Sequence, residues 1–209
     1  MRVRIQFEKK GALKYIGHLD LHKMWERSAR RGNVTLSYSQ GFHPQPKIQL
    51  ASALPLGFSS RAEVVDMWTA MDYETDWIKS ALQLALPTGI HVNSVDHIDD
   101  ALPPLQTEVI AAEFEVDFTE FDFTQLADAG VEERVAKMLS TEEIIRERRG
   151  KTYNLRPLIE LANYEATTKI MTLRLTAKEG ATGRPEEVLA ELGIPFEEVL
   201  IERSAIFFR

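Results

Sequence analysis

Asp99-Asp100-Ala101-Leu102-Pro103-Pro104 is the stretch on which the fold turns. It is acidic, carries two prolines and lies near the midpoint of the 209 residues, as a domain boundary should. Going back from it, the pattern predicts a strand over 90–98 and a helix over 74–86 that stops before Pro87, with Thr88-Gly89 as the turn. Before these come a strand over 62–71, an ordered proline-bearing loop over 39–55 with an extended piece at 48–50, and a short strand over 34–38. A helix over 17–31 precedes that strand. Residues 2–8 alternate, with Val3, Ile5 and Phe7 on one side and Arg2, Arg4 and Gln6 on the other, which reads as a half-buried strand.

Going forward from the boundary, Phe114, Val116 and Phe118 alternate with acids, which predicts a strand. A helix over 124–139 follows, then a hairpin of 142–148 and 151–155 turning at Arg149-Gly150. A short helix over 156–163, a strand over 168–177, a helix over 186–192 and a last strand over 196–208 complete the chain. Each half thus reads roughly as strand–helix–strand–strand–helix–strand. The expected fold is α+β, two ferredoxin-like units with helices on one face of antiparallel sheets, over 1–100 and 105–209. One larger α+β domain is the alternative.

Composition restricts the chemistry. With 44% hydrophobic and 27% charged residues, the chain is an ordinary folded one rather than a disordered one. It has no cysteine, which excludes disulfides, thiolate zinc sites and iron–sulfur ligation by this chain. No apolar run approaches the roughly 18 residues of a membrane span, and the alternating N-terminus lacks a signal-peptide core, so a cytoplasmic location is expected. The net charge of −7 is unevenly spread: residues 1–62 hold 11 Lys/Arg against 3 Asp/Glu, and residues 63–209 hold 14 against 29. A basic first segment beside an acidic remainder marks the first as a candidate polyanion surface.

The candidate binding residues lie in that segment. On the 17–31 helix, Leu21, Met24, Trp25 and Ser28 share one face, and Lys23, Arg27, Arg30 and Arg31 fall nearly opposite. Those cations form a row about 12 Å long, spanning two or three phosphates of a nucleic-acid strand. Lys14 and His18 precede them. Tyr38, Gln40, Phe42, His43 and Lys47 follow on the loop, where rings could stack on bases and Gly41 permits close backbone approach. The alternative, that the aromatics pack the loop onto the sheet, is favoured for Tyr38 and Phe42. Arg146, Arg148, Arg149, Lys151 and Arg156 form a second basic group in the acidic half. They either extend a phosphate track or pair with Glu142, Glu143 and Glu147, and pairing is favoured. His18 and His22 have the i, i+4 spacing of a metal pair, but Asp20 points about 160° away, so no metal is expected. No Walker A loop or Gly-x-Gly-x-x-Gly run is present.

The motifs Tyr15-Ile16-x-His18-Leu19-Asp20-Leu21, Arg27-x-x-Arg30-Arg31, Tyr38-Ser39-Gln40-Gly41-Phe42-x-Pro44-x-Pro46-Lys47 and Leu54-Pro55-Leu56-Gly57 closely resemble those of bacterial proteins called radical-SAM-linked or radical-SAM-associated. Asn154-Leu155-Arg156-Pro157-Leu158-Ile159 is a weaker match, with asparagine where the family tends to have an acid. Gly17 also departs from the usual serine. Members occur alone or fused behind a radical S-adenosylmethionine enzyme module. The resemblance implies such an enzyme as partner, with S-adenosylmethionine and an iron–sulfur cluster held there and no cofactor in this chain.

Three functional readings stay open. The first is a module binding RNA or another phosphate-rich ligand for a radical S-adenosylmethionine enzyme, for instance in RNA modification. The second is a metal-independent RNA-processing enzyme using His18 or His43. The third is a protein–protein adaptor docking through the acidic half.

Overall fold

The computed structural model describes residues 1–126, 130–148 and 150–209. The chain is α+β and divides into two compact units, Met1–Val109 with Arg209, and Ile110–Phe208. None of the described helices is long and apolar enough to cross a membrane.

The first unit runs β1 (Arg2–Lys9), α1 (His18–Arg31), β2 (Ile48–Leu50), β3 (Ser59–Trp68), α2 (Thr75–Ala85), β4 (Ile90–Ile98) and the one-turn helix α3 (Leu105–Glu108). β1 pairs antiparallel with β3 and with β4, and β2 pairs antiparallel with β3, giving the order β2-β3-β1-β4. The registers are Val3 opposite Met67 and His97, and Leu50 opposite Val65. Val3, Ile5 and Phe7 of β1 share one core with Leu21, Trp25 and Ala29 of α1, Ile78 and Leu82 of α2, and Val92 of β4. Both helices therefore cover the same sheet face, where the period-2 pattern of the strands meets the 3.6-residue pattern of the helices. Phe7 and Trp25 meet edge to face with centroids 4.8 Å apart.

At the start of β1 the opposite sheet face is covered too, which corrects the half-buried reading there, while Gln6 on the same face stays exposed. Arg2 is 1% exposed and Asp66 of β3 is 0% exposed. Arg2 Nε and Nη2 donate to Asp66 Oδ2 at 3.1 and 2.7 Å, and Nη1 and Nη2 donate to the carbonyls of Leu102 and Pro103 at 2.7 and 2.9 Å. Arg4 donates to both Asp66 oxygens at 2.8 and 3.0 Å and to Glu108 Oε2 at 2.7 Å. Hydrogen bonds to the Asp66 carboxylate, ahead of the opposing effect of burial and the bond to Glu108, raise Arg4 above its ordinary value. The Arg2 guanidinium also lies 4.7 Å from the Trp68 ring centroid, and the Leu105 N–H donates to Gln49 Oε1 at 3.1 Å. The Asp99–Pro104 stretch is thus held down by buried charge.

The 34–38 segment is not a strand. Val34 and Leu36 are buried as alternation requires, but only single bridges form, Leu36 with Thr69 and Tyr38 with Pro46. Pro46 has no N–H to extend a ladder. β3 also starts and ends three residues earlier than the hydrophobic pattern suggested.

The second unit runs β5 (Val109–Asp117), α4 (Val131–Ser140), β6 (Ile145–Arg148), β7 (Lys151–Asn154), β8 (Ile159–Glu165), β9 (Ile170–Lys178), β10 (Ala181–Thr182), α5 (Pro185–Glu191) and β11 (Leu200–Phe208). β9 pairs antiparallel with both β5 and β8, and β11 lies on the other side of β5. Phe114, Val116 and Phe118 are buried as their alternation predicts, and Glu113 faces Arg174 across the ladder at 2.8 Å. α4 buries Val131, Val135 and Met138, and α5 buries Val188 and Leu189.

Three expectations fail here. The helix expected over 124–139 is a 3-10 turn at Phe123–Gln125 and then α4 from Val131; residues 127–129 of that expectation lie outside the described residues. The helix expected over 156–163 is a 3-10 turn at Arg156–Leu158 followed by β8. A register irregularity between Ile159 and Leu161 explains the misreading, because it puts Ile159 and Ala162 on the buried side at a spacing that imitates a helix. Consequently β8 is a sheet strand paired with β9 rather than a helix, and β6–β7 is a separate two-stranded hairpin. The last strand begins at Leu200, after a 3-10 turn over Phe196–Glu198.

Candidate functional site

α1 is amphipathic in the sense its sequence requires. Leu21, Trp25, Ser28 and Ala29 are buried, and Lys23, Arg27, Arg30 and Arg31 are exposed. Among the described residues, the side chains of Lys23, Arg27, Arg30 and Lys47 make no hydrogen bond or ion pair, while Arg31 Nη2 donates to Ser28 Oγ at 3.3 Å. Other cations of the basic segment are already committed. Arg2 and Arg4 clamp Asp66, Lys10 pairs with Glu8 at 2.8 Å, and buried Lys9 donates to the Ile16 carbonyl at 3.4 Å. The positive charge left open to a ligand is therefore concentrated on α1 and the loop after it.

That loop has a closed neck and an open tip. The Ser39 and Lys47 N–H groups donate to the carbonyls of Gln45 and Ser37, both at 2.8 Å, and the Gln45 N–H donates to Ser39 Oγ at 3.0 Å. Gln40, Gly41, Phe42, His43 and Pro44 project beyond this neck, all exposed, with Gly41 at φ +129°. At this φ only glycine sits without strain. Phe42 is fully exposed and Tyr38 is 50% exposed, so neither ring packs the loop into the core.

The two elements meet at one place. Glu26 and Arg30 of α1, Asn33, and Tyr38 line a cleft of about 290 Å³ floored by Val34 and Leu36. Glu26 and Arg30 are one helical turn apart, yet no ion pair joins them, and the Glu26 carboxylate has no hydrogen-bond partner among the described residues. Asn33 turns the chain out of α1 in the left-handed conformation, φ +59°, which swings Thr35–Tyr38 back alongside the helix. Gly32 precedes it at φ −80°, and its glycine identity serves close packing instead: a Cβ there would stand 2.8 Å from the Ala81 carbonyl oxygen of α2.

Not all expected site residues converge. Arg31 faces a different cleft, of about 510 Å³, with Trp77, Ala81 and Leu84 of α2. His18 opens α1 at the opposite end from Arg30, about 18 Å away along the helix axis. Lys14 sits with its ammonium 5.1 Å from the Tyr15 ring centroid, and its carbonyl accepts the Gly57 N–H at 2.9 Å, which joins the Leu54–Gly57 motif to the segment before α1. Gln40, Phe42 and His43 occupy the loop tip and Lys47 its neck. Among the described residues no group of three His, Asp or Glu side chains is placed to hold a metal.

In the second unit, Arg146 pairs with Glu191 of α5 rather than with Glu142, Glu143 or Glu147. Arg156 is absorbed structurally, donating to the Leu139 carbonyl at 3.0 and 3.2 Å near the end of α4 and to the Ile159 carbonyl at 3.3 Å. Arg148 stands opposite Lys151 in the β6–β7 register, and Arg149 lies outside the described residues. Burial, then the neighbouring Glu187 carboxylate, pushes the Tyr153 phenol on this hairpin up to about 12.

Glu26, Asn33 and Thr35 are polar cleft residues absent from the candidate binding set read from the sequence. The available signal was the i, i+4 spacing of Glu26 and Arg30 on the polar side of α1.

The fold and site define an α+β protein with an unpaired cationic helix face beside an exposed aromatic loop. The chain belongs to the family DUF2344, described as an uncharacterized protein conserved in bacteria, whose model matches residues 2–185. No curated protein matches the chain.

Proposed function

We propose that this protein binds single-stranded RNA, or a ligand equally rich in phosphate, along the exposed face of α1 and the loop after it. The observation that carries the reading is the set of unpaired cations Lys23, Arg27 and Arg30, with Arg30 and Tyr38 on a shared cleft. Surface arginines usually find a carboxylate or cost little when they do not, but a row of unpaired ones beside exposed rings is what a charged, stacking ligand needs. The finer fold that goes with it is a pair of ferredoxin-like units, supported by the order β2-β3-β1-β4 in the first and β8-β9-β5-β11 in the second. The motif resemblance of residues 15–57 supports an accessory role to a radical S-adenosylmethionine enzyme acting in trans in the cytoplasm, with the cofactor chemistry in that partner.

A fluorescence-anisotropy titration of single-stranded RNA against the protein at several salt concentrations tests the reading. Each phosphate neutralised on a single strand contributes about 0.7 to the slope of log K against log salt. Replacing Lys23, Arg27 and Arg30 together with alanine should therefore flatten the slope by about 2. Affinity indifferent to salt, or a triple variant that binds like the parent, refutes the phosphate track.

A further inference from the structure

The cleft between α1 and the 33–38 segment holds an arrangement that a phosphate track does not need. A track requires cations only, yet the cleft also contains the Glu26 carboxylate, half-buried, without a partner, and one turn from Arg30. On a solvent-exposed helix face, a glutamate four residues before an arginine normally closes an ion pair. Here the two side chains open on the same cavity without pairing. That costs little on an exposed face, and it leaves one acceptor-only group and one donor-only group facing a ligand.

We propose that this cleft holds a single unstacked guanine base of a bound RNA strand, an inference that rests on the RNA-binding reading above. The match is one of hydrogen-bond pattern. A carboxylate offers two oxygens side by side and only accepts, so it needs two adjacent donors. Among the four RNA bases, guanine alone presents two neighbouring donors on its Watson–Crick edge, N1–H and the exocyclic N2–H, with the O6 acceptor next to them. Adenine has a donor beside an acceptor, cytosine one donor followed by two acceptors, and uracil one donor between two acceptors. Glu26 takes N1–H and N2–H of guanine, and the Arg30 guanidinium donates to O6. The half-exposed Tyr38 ring supplies the stacking surface that an extruded base requires. Against any other base, at least one acceptor faces the carboxylate and both are left desolvated and unpaired, which is what makes such a site selective. The cavity, about 290 Å³, is at the lower end for ligand clefts and suits one nucleotide rather than a base-paired helix.

A free amino acid would also bring a cation to Glu26 and an anion to Arg30. The neighbouring unpaired Lys23 and Arg27 favour a ligand whose negative charge continues past the cleft, as a nucleotide chain does.

The test uses the full chain and 5′-labelled ten-nucleotide uridine RNAs carrying one central guanosine, inosine, adenosine or cytidine, with the all-uridine strand and a single 2′-deoxyguanosine version beside them. The guanosine strand should bind on the order of tenfold more tightly than the adenosine strand, the usual worth of one bidentate base contact. Inosine, which keeps N1–H and lacks the N2 amine, should fall between. In Glu26→Gln, with circular dichroism confirming the fold, the guanosine and adenosine strands should bind within about twofold of each other, because the amide replaces one acceptor by a donor. Equal affinity for all four bases, or a guanosine preference that survives Glu26→Gln, overturns the base assignment and leaves the phosphate track standing. A loss that follows the 2′-deoxy change instead of base identity also overturns it, since the carboxylate would then be on ribose. If none of the strands binds, the RNA reading falls and this inference falls with it.

Discussion

Asp66 is the residue on which the first unit should prove most sensitive. Its carboxylate is 0% exposed and accepts four hydrogen bonds from Arg2 and Arg4, between 2.7 and 3.1 Å. In Asp66→Asn the amide nitrogen would turn its own hydrogens toward a guanidinium, and the negative charge balancing Arg2 would be gone. Arg2 could not follow its charge out to water, because its other donors are fixed on the carbonyls of Leu102 and Pro103. Removing one partner of a buried ion pair costs about 3–5 kcal/mol. With a urea dependence of about 2 kcal/mol per molar, the midpoint of unfolding should drop by roughly 2 M. Arg4→Met should cost less than half as much. Arg4 is 19% exposed, its second acceptor Glu108 is 15% exposed and can rehydrate, and Asp66 keeps Arg2. Urea melts followed by tryptophan fluorescence read both. An Asp66→Asn protein within about 1 kcal/mol of the parent would refute the view that this carboxylate holds the 99–108 segment against the sheet.

Two further predictions concern other parts of the chain. Tyr153 titrates near 12 in the fold, held up by burial and Glu187 against the opposing pull of Arg148 and Arg184, and near 10 when unfolded. Between those values the folded protein keeps a proton the unfolded chain has released, so stability falls as pH climbs from 10 to 12. Urea melts of Tyr153→Phe should show a shallower decline over that window than the parent, and an identical decline would remove Tyr153 as the cause. Gly32→Ala forces a methyl to 2.8 Å from the Ala81 carbonyl, so the end of α1 must shift from α2 at a cost of about 1–3 kcal/mol. A thermal melt unchanged by that substitution would show that the two helices are not in close backbone contact.

What the sequence disclosed follows from which interactions are local. The strand alternation of Val3, Ile5 and Phe7, the apolar face of α1, and the strand at 90–98 were all legible because one buried face leaves a regular period in the chain. The burial of Arg2 was not legible, since its partner lies 64 residues away and its last acceptors about 100 residues away. β8 was misread because a register irregularity gives Ile159 and Ala162 a helical spacing. In the candidate site, the exposed cations of α1 could be read from the helical wheel. That Arg30 and Arg31, consecutive and so about 100° apart on the helix, face different clefts is fixed by what packs beside each, residues 34–38 for one and α2 for the other, which the wheel does not show. The exposure of Phe42 was equally hidden: an aromatic beside prolines and glycine reads alike whether the loop tip folds back or projects.

The pairing of β1 has a consequence for synthesis on the ribosome. β1 is made before both strands it pairs with, whose ends lie at Trp68 and Ile98, so it emerges and waits while they are translated. At about 5–20 residues per second, the wait for β4 is roughly 5–20 s. Until β3 is complete, both hydrogen-bonding edges of this eight-residue strand, with Val3, Ile5 and Phe7 on one face, are open to other nascent chains, and one edge stays open until β4 arrives. Arg2 and Arg4, spaced along that strand and still in water, supply the repulsion that discourages such encounters. The guanidiniums that later disappear beneath residues 99–108 thus serve first as the guards of an unfinished sheet.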